Sequence, residues 1–341
     1  MTGQLHRADF TPPTGLANCH TQTLLPRLLP RRRLPHRWES LPLPDGDFVE
    51  LTWVTPGPAH ESAPLFLLFH GLEGSFDSPY ARELLGCAAD LGWRAVMMHF
   101  RGCGRAPNRL PRAYHSGDTA DAYWVIGQLA RRYPRALKVA AGVSLGANML
   151  VKLVAEQGDN GLDLAGAIAI AAPLDLAASA ECLQRGFARV YQRHLLASLK
   201  ARAARRLNDY PLDLSSRELD ELATLRDYDD RVTAPLHGFR DAEEYYRRAS
   251  AGPRLGELTL PTLILHAEDD PFMPPDLFAR LPAPGGAVRV ELAARGGHVG
   301  FVEWREGRLR SWLARRVSRQ LQAWEPVTAT GAAYEREPPT P

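Results

Sequence analysis

The sequence predicts an α/β protein: a mostly parallel sheet flanked by helices, with a helical cap inserted into it. Three observations carry this. Short apolar runs alternate with stretches of helical spacing from residue 64 onward, the alternation stops between residues 174 and 257, and it resumes from residue 258. The runs at 65–69, 94–100, 137–143 and 165–171 are short and apolar, as strands buried on both faces are. Between them, 80–91, 119–132 and 145–156 carry apolar residues at helical spacing. From 174 to 257 only helical signals appear, at 176–190, 194–207 and 242–248. Strand patterns return at 262–266 and 287–292, and an amphipathic helix is expected over 306–324. A helical block between two strands of one sheet reads as a cap over the sheet's C-terminal edge. The expected division is therefore a core of 64–173 and 258–325, a cap of 174–257, and a loose tail of 326–341. Residues 1–63 are expected to be an irregular lead-in. Ten of the 28 prolines fall in the first 64 residues, with a basic run at Arg27, Arg31, Arg32, Arg33 and Arg37, and a strand pair is expected around Asp45-Gly46.

Composition narrows the function. With 341 residues, 45% hydrophobic and 23% charged, the chain has the make-up of a globular protein with a large core. A net charge of +2 supplies no overall field for nucleic acid or an anionic membrane. Within the cap, Arg185, Arg189, Arg193, Lys200, Arg202, Arg205 and Arg206 form a basic stretch free of acids. A solvated helix face is its default reading, and weak contact with a lipid surface the minor one. Cys19, Cys87, Cys103 and Cys182 form no Cys-x-x-Cys pair, so neither a zinc site nor a disulfide framework is indicated. No cofactor and no metal are expected. Without a secretory signal or a run of ~18 apolar residues, a cytoplasmic location is expected. The sequence leaves the oligomeric state open.

The strongest local signal is Gly142-Val143-Ser144-Leu145-Gly146, which follows an apolar strand and opens a helix. With 28 glycines in the chain, chance yields about 0.09 such matches, so the placement between strand and helix carries the weight. There a serine adopts a strained backbone, and neighbours without Cβ let the chain pass close enough for Oγ to project. A serine hydroxyl needs a base, and the base an orienting acid. Glu268-Asp269-Asp270-Pro271 leaves the strand at 262–266, and Gly296-Gly297-His298 follows the strand at 287–292, so carboxylate and imidazole reach the same sheet edge. Asp270 is the preferred acid, with Asp269 and Glu268 as competitors. His70-Gly71-Leu72-Glu73-Gly74 ends the first parallel strand, where the backbone N–H of Leu72, beside that of Leu145, would face a developing oxyanion. Cys103 reads as inert packing, and His20, His99 and His115 as hydrogen-bonded structural residues. Asp118 and Asp121 read as helix-capping acids.

Several further stretches are specific: Asn18-Cys19-His20-Thr21-Gln22-Thr23, Phe100-Arg101-Gly102-Cys103-Gly104, Tyr114-His115-Ser116-Gly117-Asp118, Thr233-Ala234-Pro235-Leu236-His237-Gly238-Phe239 and Asp269-Asp270-Pro271-Phe272. With these the chain resembles the YheT-like branch of the α/β-hydrolases, the AB hydrolase 4 family, over residues 18–312. One departure is Cys19, where the family form Asn-Pro-His has proline. The resemblance implies an α/β-hydrolase fold and a serine carboxylic-ester hydrolase, with Ser144 as nucleophile, Asp270 as acid and His298 as base. Relatives act on medium-chain acyl esters, monoacylglycerols or phospholipids, and some transfer the acyl group to an alcohol. The expectation is therefore hydrolysis of short- to medium-chain acyl esters, with a small-molecule ester as partner. The alternatives are acyl transfer to an alcohol and a non-catalytic binding protein on the same fold.

Overall fold

The computed structural model describes residues 4–158 and 161–325; the expected tail at 326–341 lies outside them. Among the described residues nine strands form one sheet: β1 (Gln4–Arg7), β2 (His36–Pro42), β3 (Phe48–Val54), β4 (Leu65–Phe69), β5 (Arg94–His99), β6 (Lys138–Val143), β7 (Gly166–Ile170), β8 (Thr262–Ala267) and β9 (Val288–Ala293). Their order is β1-β9-β8-β7-β6-β4-β5-β3-β2. The ladders from β1 to β5 are parallel, and β3 and β2 add antiparallel pairs at one edge.

The lead-in is more regular than its proline content suggests. β1 pairs in parallel with β9, and α1 (Cys19–Leu24) is capped by Asn18 Oδ1, which accepts the N–H groups of His20 and Thr21. The strand pair lies at β2 and β3, joined across Asp45 and Gly46, whose φ is 88°.

Strand β4 shows how the sheet acquires two cores. Leu65, Leu67 and Phe69 pack on one face and Phe66 and Leu68 on the other, as period-2 alternation requires. The first face is covered by α3 (Ala120–Arg132) and α4 (Leu145–Gln157), through Val125, Leu150 and Val154. The second is covered by α2 (Pro79–Asp90) and the C-terminal helix, Trp312–Trp324, through Leu84, Trp312 and Leu321. The apolar runs at 65–69, 137–143 and 165–171 are continuous because both faces of these strands are buried.

Between β7 and β8 the chain is helical: α5 (Leu176–Cys182), α6 (Ala188–Ala204), α7 (Ser216–Glu221), α8 (Leu225–Tyr228), a π-helical turn over Asp229–Thr233, α9 (Ala234–Leu236) and α10 (Ala242–Ala249). The helix expected over 176–190 is interrupted: α5 ends at Cys182, and Gly186, with a φ of 48°, turns the chain before α6 starts at Ala188. After β8 comes the short α11 (Leu277–Arg280). The last helix, α12 (Trp312–Trp324), starts six residues later than the expected 306, because β10 (Val302–Arg305) and β11 (Arg308–Ser311) form a hairpin. Its two turn residues, Glu306 and Gly307, have φ of 52° and 74°, the left-handed pair that a two-residue hairpin loop requires. No helix among the described residues is long and apolar enough to cross a membrane.

Candidate active site

Ser144 occupies the turn between β6 and α4 with φ 52° and ψ −118°, a left-handed conformation that costs a residue bearing Cβ on the order of 1–3 kcal/mol. The flanking glycines make the turn possible by packing. A Cβ on Gly142 would lie 2.3 Å from the carbonyl oxygen of Gly146, and one on Gly146 would lie 2.5 Å from that of His70. Helix α4 therefore starts in near contact with the end of β4. Its first N–H, on Leu145, has no partner within the helix.

His298 Nε2 lies 3.0 Å from Ser144 Oγ, and its Nδ1 lies 2.8 Å from Asp270 Oδ2. The three residues, separated by up to 154 positions, thus form one hydrogen-bonded series. Asp270 is the acid in contact with the ring; Asp269 instead accepts the N–H of Gly297 at 2.9 Å and holds the loop that carries His298. Burial by itself would raise the pKa of Asp270. The adjoining imidazole and the N–H of Phe272, donated to Oδ1 at 2.8 Å, outweigh that and hold the carboxyl below its usual range. An ionised Asp270 keeps the proton of His298 on Nδ1 and leaves Nε2 free to accept one from Oγ.

Sequence reasoning missed the supports of this imidazole. The ring of Phe272 stacks on that of His298, with centroids 3.9 Å apart and planes 6° from parallel. Thr23 Oγ1 accepts the N–H of His298 at 2.9 Å and donates to the carbonyl of Cys19 at 2.7 Å. Gln22 accepts the N–H of Val302 at 2.7 Å and donates to the carbonyl of Leu16 at 2.9 Å. The Asn18–Thr23 motif is therefore a clamp on the histidine loop. Cys19 takes part through its carbonyl, which the residue type leaves unchanged.

The loop after β4 lies against the serine: a Cβ on Gly71 would be 3.2 Å from that of Ser144. His70 shapes it. Its Nε2 accepts the N–H of Phe100 at 3.1 Å, so the proton sits on Nδ1, which donates to the carbonyl of Gly71 at 2.7 Å. Burial keeps this ring neutral by pushing its pKa down to about 4. Gly71 donates its N–H to Tyr80 Oη at 2.8 Å. Leu72 and Leu145 line the same cavity as Ser144, and no acceptor among the described residues takes the N–H of Leu72.

Glu73, at φ 55°, fastens the loop to the helical insertion. It accepts hydrogen bonds from Ser198 Oγ at 2.7 Å, Arg202 Nη2 at 2.9 Å and Tyr114 Oη at 3.0 Å. Arg202, grouped by sequence with a solvated basic face, points inward. Leu195, Leu199 and Arg202 are spaced four and three apart, which puts the arginine on the helix face that lines the cavity.

That cavity holds about 490 Å³ between the sheet edge and the insertion, with an apolar wall from Leu176, Leu183, Val190, Leu199 and Met273. The size suits a small-molecule ligand. Other sequence candidates take structural places. Burial pushes the Cys103 thiol up to about 12, so it carries no thiolate. His20 Nδ1 meets Tyr191 Oη at 3.2 Å and His99 Nε2 meets Thr52 Oγ1 at 2.7 Å. Asp121 and Asp118, read as capping acids, are instead engaged by guanidinium groups, Arg101 at 2.6 Å and Arg112 at 2.7 Å. Among the described residues no group of three or more His, Cys, Asp or Glu side chains is arranged to hold a metal ion.

A sheet of this order with a serine at the β6–α4 turn and an imidazole behind it defines an α/β-hydrolase. Residues 64–303 match the family described as alpha/beta hydrolase fold. The chain is 44% identical to Putative esterase YheT of Escherichia coli, covering 90% of this chain and 93% of that one. It is 28% identical to Phospholipase ABHD3 of Mus musculus, covering 83% and 70%. The esterase Pf2001 of Pyrococcus furiosus superposes with a TM-score of 0.54 over 95% of this chain and 99% of that one, at 12% identity, a likeness of fold. The chain belongs to the α/β-hydrolase family, in its YheT-like branch.

Proposed function

We propose that Ser144, His298 and Asp270 are the triad with which this carboxylic ester hydrolase cleaves short- to medium-chain acyl esters through an acyl-enzyme. The observation that carries the reading is the unbroken pair of hydrogen bonds from Asp270 to His298 and from His298 to Ser144, 2.8 and 3.0 Å long. Ser144 Oγ attacks the ester carbonyl while His298 Nε2 takes its proton. The tetrahedral oxyanion is held by the N–H groups of Leu72 and Leu145, each such donor contributing a factor of ~10² to 10³ in turnover. The imidazolium returns the proton to the leaving alcohol. Water, activated by the same ring, then attacks the acyl-enzyme and frees the acid and Ser144.

The apolar wall supplied by the insertion favours an acyl chain. Relatives that include the Monoacylglycerol lipase of Saccharomyces cerevisiae and Phospholipase ABHD3 of Mus musculus support an acyl ester as substrate. The four free cysteines suit a cytoplasmic location. The test is a series of p-nitrophenyl esters of increasing acyl length, run on wild type and Ser144→Ala. Turnover falls by about 10⁴ or more in the variant, with an unchanged melting profile and no labelling by a fluorophosphonate. Esterase activity surviving Ser144→Ala would refute the nucleophile assignment.

A further inference from the structure

The loop after β4 keeps one backbone donor in reserve. Of the five N–H groups from Gly71 to Ser75, four have acceptors among the described residues: Tyr80 Oη for Gly71 at 2.8 Å, Tyr114 Oη for Glu73 at 2.9 Å, the carbonyl of Gly71 for Gly74 at 2.9 Å, and Ser78 Oγ for Ser75 at 3.1 Å. The fifth is the N–H of Leu72, which stands between the two that meet phenols. Its direction is set too. The carbonyl of Gly71 belongs to the same planar trans peptide unit and accepts from His70 Nδ1 at 2.7 Å as well as from Gly74, so the Leu72 N–H points the opposite way. Tyr80 holds the peptide unit before this one, and Tyr114 holds the unit after it.

Both phenols are built into the fold. Tyr80 lies in the first turn of α2 and lines the cavity. A Cβ on Gly71 would be 3.6 Å from Tyr80 Oη and 3.2 Å from the Cβ of Ser144, so phenol and serine flank the same glycine. Tyr114 opens a sequence motif that takes no part in the triad. Its buried ring stacks on Phe100, with centroids 5.1 Å apart and planes 7° from parallel. Its hydroxyl donates to Glu73 Oε1 at 3.0 Å, which leaves its lone pairs for the N–H of the same residue. Burial pushes the pKa of both phenols up, so both stay neutral and add no negative charge beside a developing oxyanion.

We infer that Tyr80 and Tyr114 are positioning residues of the reaction: by pinning the peptide units on either side, their hydroxyls keep the Leu72 N–H preorganised as an oxyanion donor. Without them the Leu72 peptide unit is free to turn over and present its carbonyl instead. This rests on the ester-hydrolase reading of the site and adds two residues to it. The test uses Tyr80→Phe and Tyr114→Phe, which keep the rings and remove only the hydroxyls. Two ligands of one chain length, measured by calorimetry, separate the oxyanion from the rest of the cavity. Octyl trifluoromethyl ketone forms a hemiketal: Ser144 Oγ bonds to the carbonyl carbon, its proton passes to His298 Nε2, and the carbonyl oxygen becomes the oxyanion. Octyl methyl ketone fills the same space and stays a ketone. In each variant kcat for a p-nitrophenyl ester falls about 10-fold or more, part of one donor's contribution, while KM moves by less than about three-fold. The dissociation constant of the trifluoromethyl ketone rises by a similar factor, and that of the methyl ketone stays within about two-fold. A loss confined to KM, or equal weakening of both ketones, makes the tyrosines merely structural and overturns the inference. Unchanged trifluoromethyl ketone binding in both variants overturns it as well, and ester turnover by the wild type then leaves the esterase reading intact. A wild type that binds the trifluoromethyl ketone but turns over no ester, with the binding weakened in the variants, removes the esterase reading and keeps the two pins.

Discussion

The two walls of the cavity are built on different principles. On the sheet side, the groups near Ser144 are held through main-chain geometry: the turn at φ 52°, the close approach of Gly142 to Gly146, and the backbone of the His298 loop gripped by the side chains of Thr23, Gln22 and Asp269. On the helical side, Leu183, Leu196, Leu199 and Leu225 belong to an apolar cluster of the insertion's own, and the cavity is lined by side chains. The contrast teaches where each property resides. Changes on the sheet side should alter turnover for all esters alike, whereas changes on the helical side should alter the ratio between esters.

The sharpest way to break this contrast is Gly146→Ala. The new Cβ would sit 2.5 Å from the carbonyl of His70 and 2.7 Å from that of Phe69, both backbone atoms, so α4 must move. That displaces Ser144 Oγ and the Leu145 N–H together. A shift near 1 Å in a reacting group costs roughly 10² in rate, and the overpacking lowers the melting temperature by roughly 5–10 °C. Turnover measured on a short and a longer p-nitrophenyl ester should fall by the same factor. Unequal losses would mean that the turn also selects substrates.

Next in size is the response of the sheet side to acid. Burial holds His70 down to about 4 and His99 down to about 3, whereas both protonate near 6.5 once unfolded. The unfolded chain therefore binds more protons between those limits. The stability these neutral rings contribute is fully present above about pH 6.5 and is lost as pH falls toward their folded values. Two such groups amount to a factor of about 10² in the unfolding constant per pH unit around pH 5. Urea midpoints at pH 6.5, 5.5 and 5.0 measure it together with the like contribution of His115 and His237, which burial also pushes down to about 3, and His99→Gln should flatten the total slope by about one proton.

Much of the sheet side was legible in the sequence because its constraints are local. Continuous apolar runs mark strands covered on both faces, and Gly142, Ser144 and Gly146 mark a turn that other residue types cannot make. His298 and Asp270 could be placed because each follows a strand directly. What escaped depended on tertiary partners. β1 is four residues long and polar, so only its pairing with β9 identifies it. Gln22 and Thr23 act through bonds to residues some 275 positions away. Asp121 looked like a cap until Arg101 was found to engage it. On the helical side periodicity gave helices but not their breaks, since the φ of Gly186 and the π-turn at Asp229 are set by packing. The inward aim of Arg202 was encoded, by its spacing from Leu195 and Leu199, and was hidden by the charges around it.

Arg202 is also where the contrast can be sharpened, because it crosses from one wall to the other. Through Glu73 it holds the residue next to Leu72, whose N–H is assigned to the oxyanion. Arg202→Met leaves Glu73 with Ser198 and Tyr114 as donors and loosens the loop. Part of one oxyanion donor's contribution is lost, about 10-fold in kcat, while KM moves by less than about three-fold. Arg202→Lys should recover part of the loss, since an ammonium can reach the carboxylate but without the two-pronged geometry. A change confined to KM would place Arg202 in substrate binding alone.

The smallest effect belongs to the apolar wall. Leu183 is buried in the insertion's own cluster and faces the cavity from the end of α5. Leu183→Ala removes branched side-chain volume there and nothing from the triad. A few added carbons of acyl chain can occupy that space, and each buried methylene is worth about 0.8 kcal/mol when packed. Relaxation of the wall recovers some of the volume, so the kcat/KM ratio of a longer to a shorter p-nitrophenyl ester should rise by only about three- to five-fold. The ratio is the proper readout because loss of folded protein lowers both rates together and cancels. If the ratio stays fixed while Gly146→Ala changes it, the division of labour between the two walls is the reverse of the one the geometry describes.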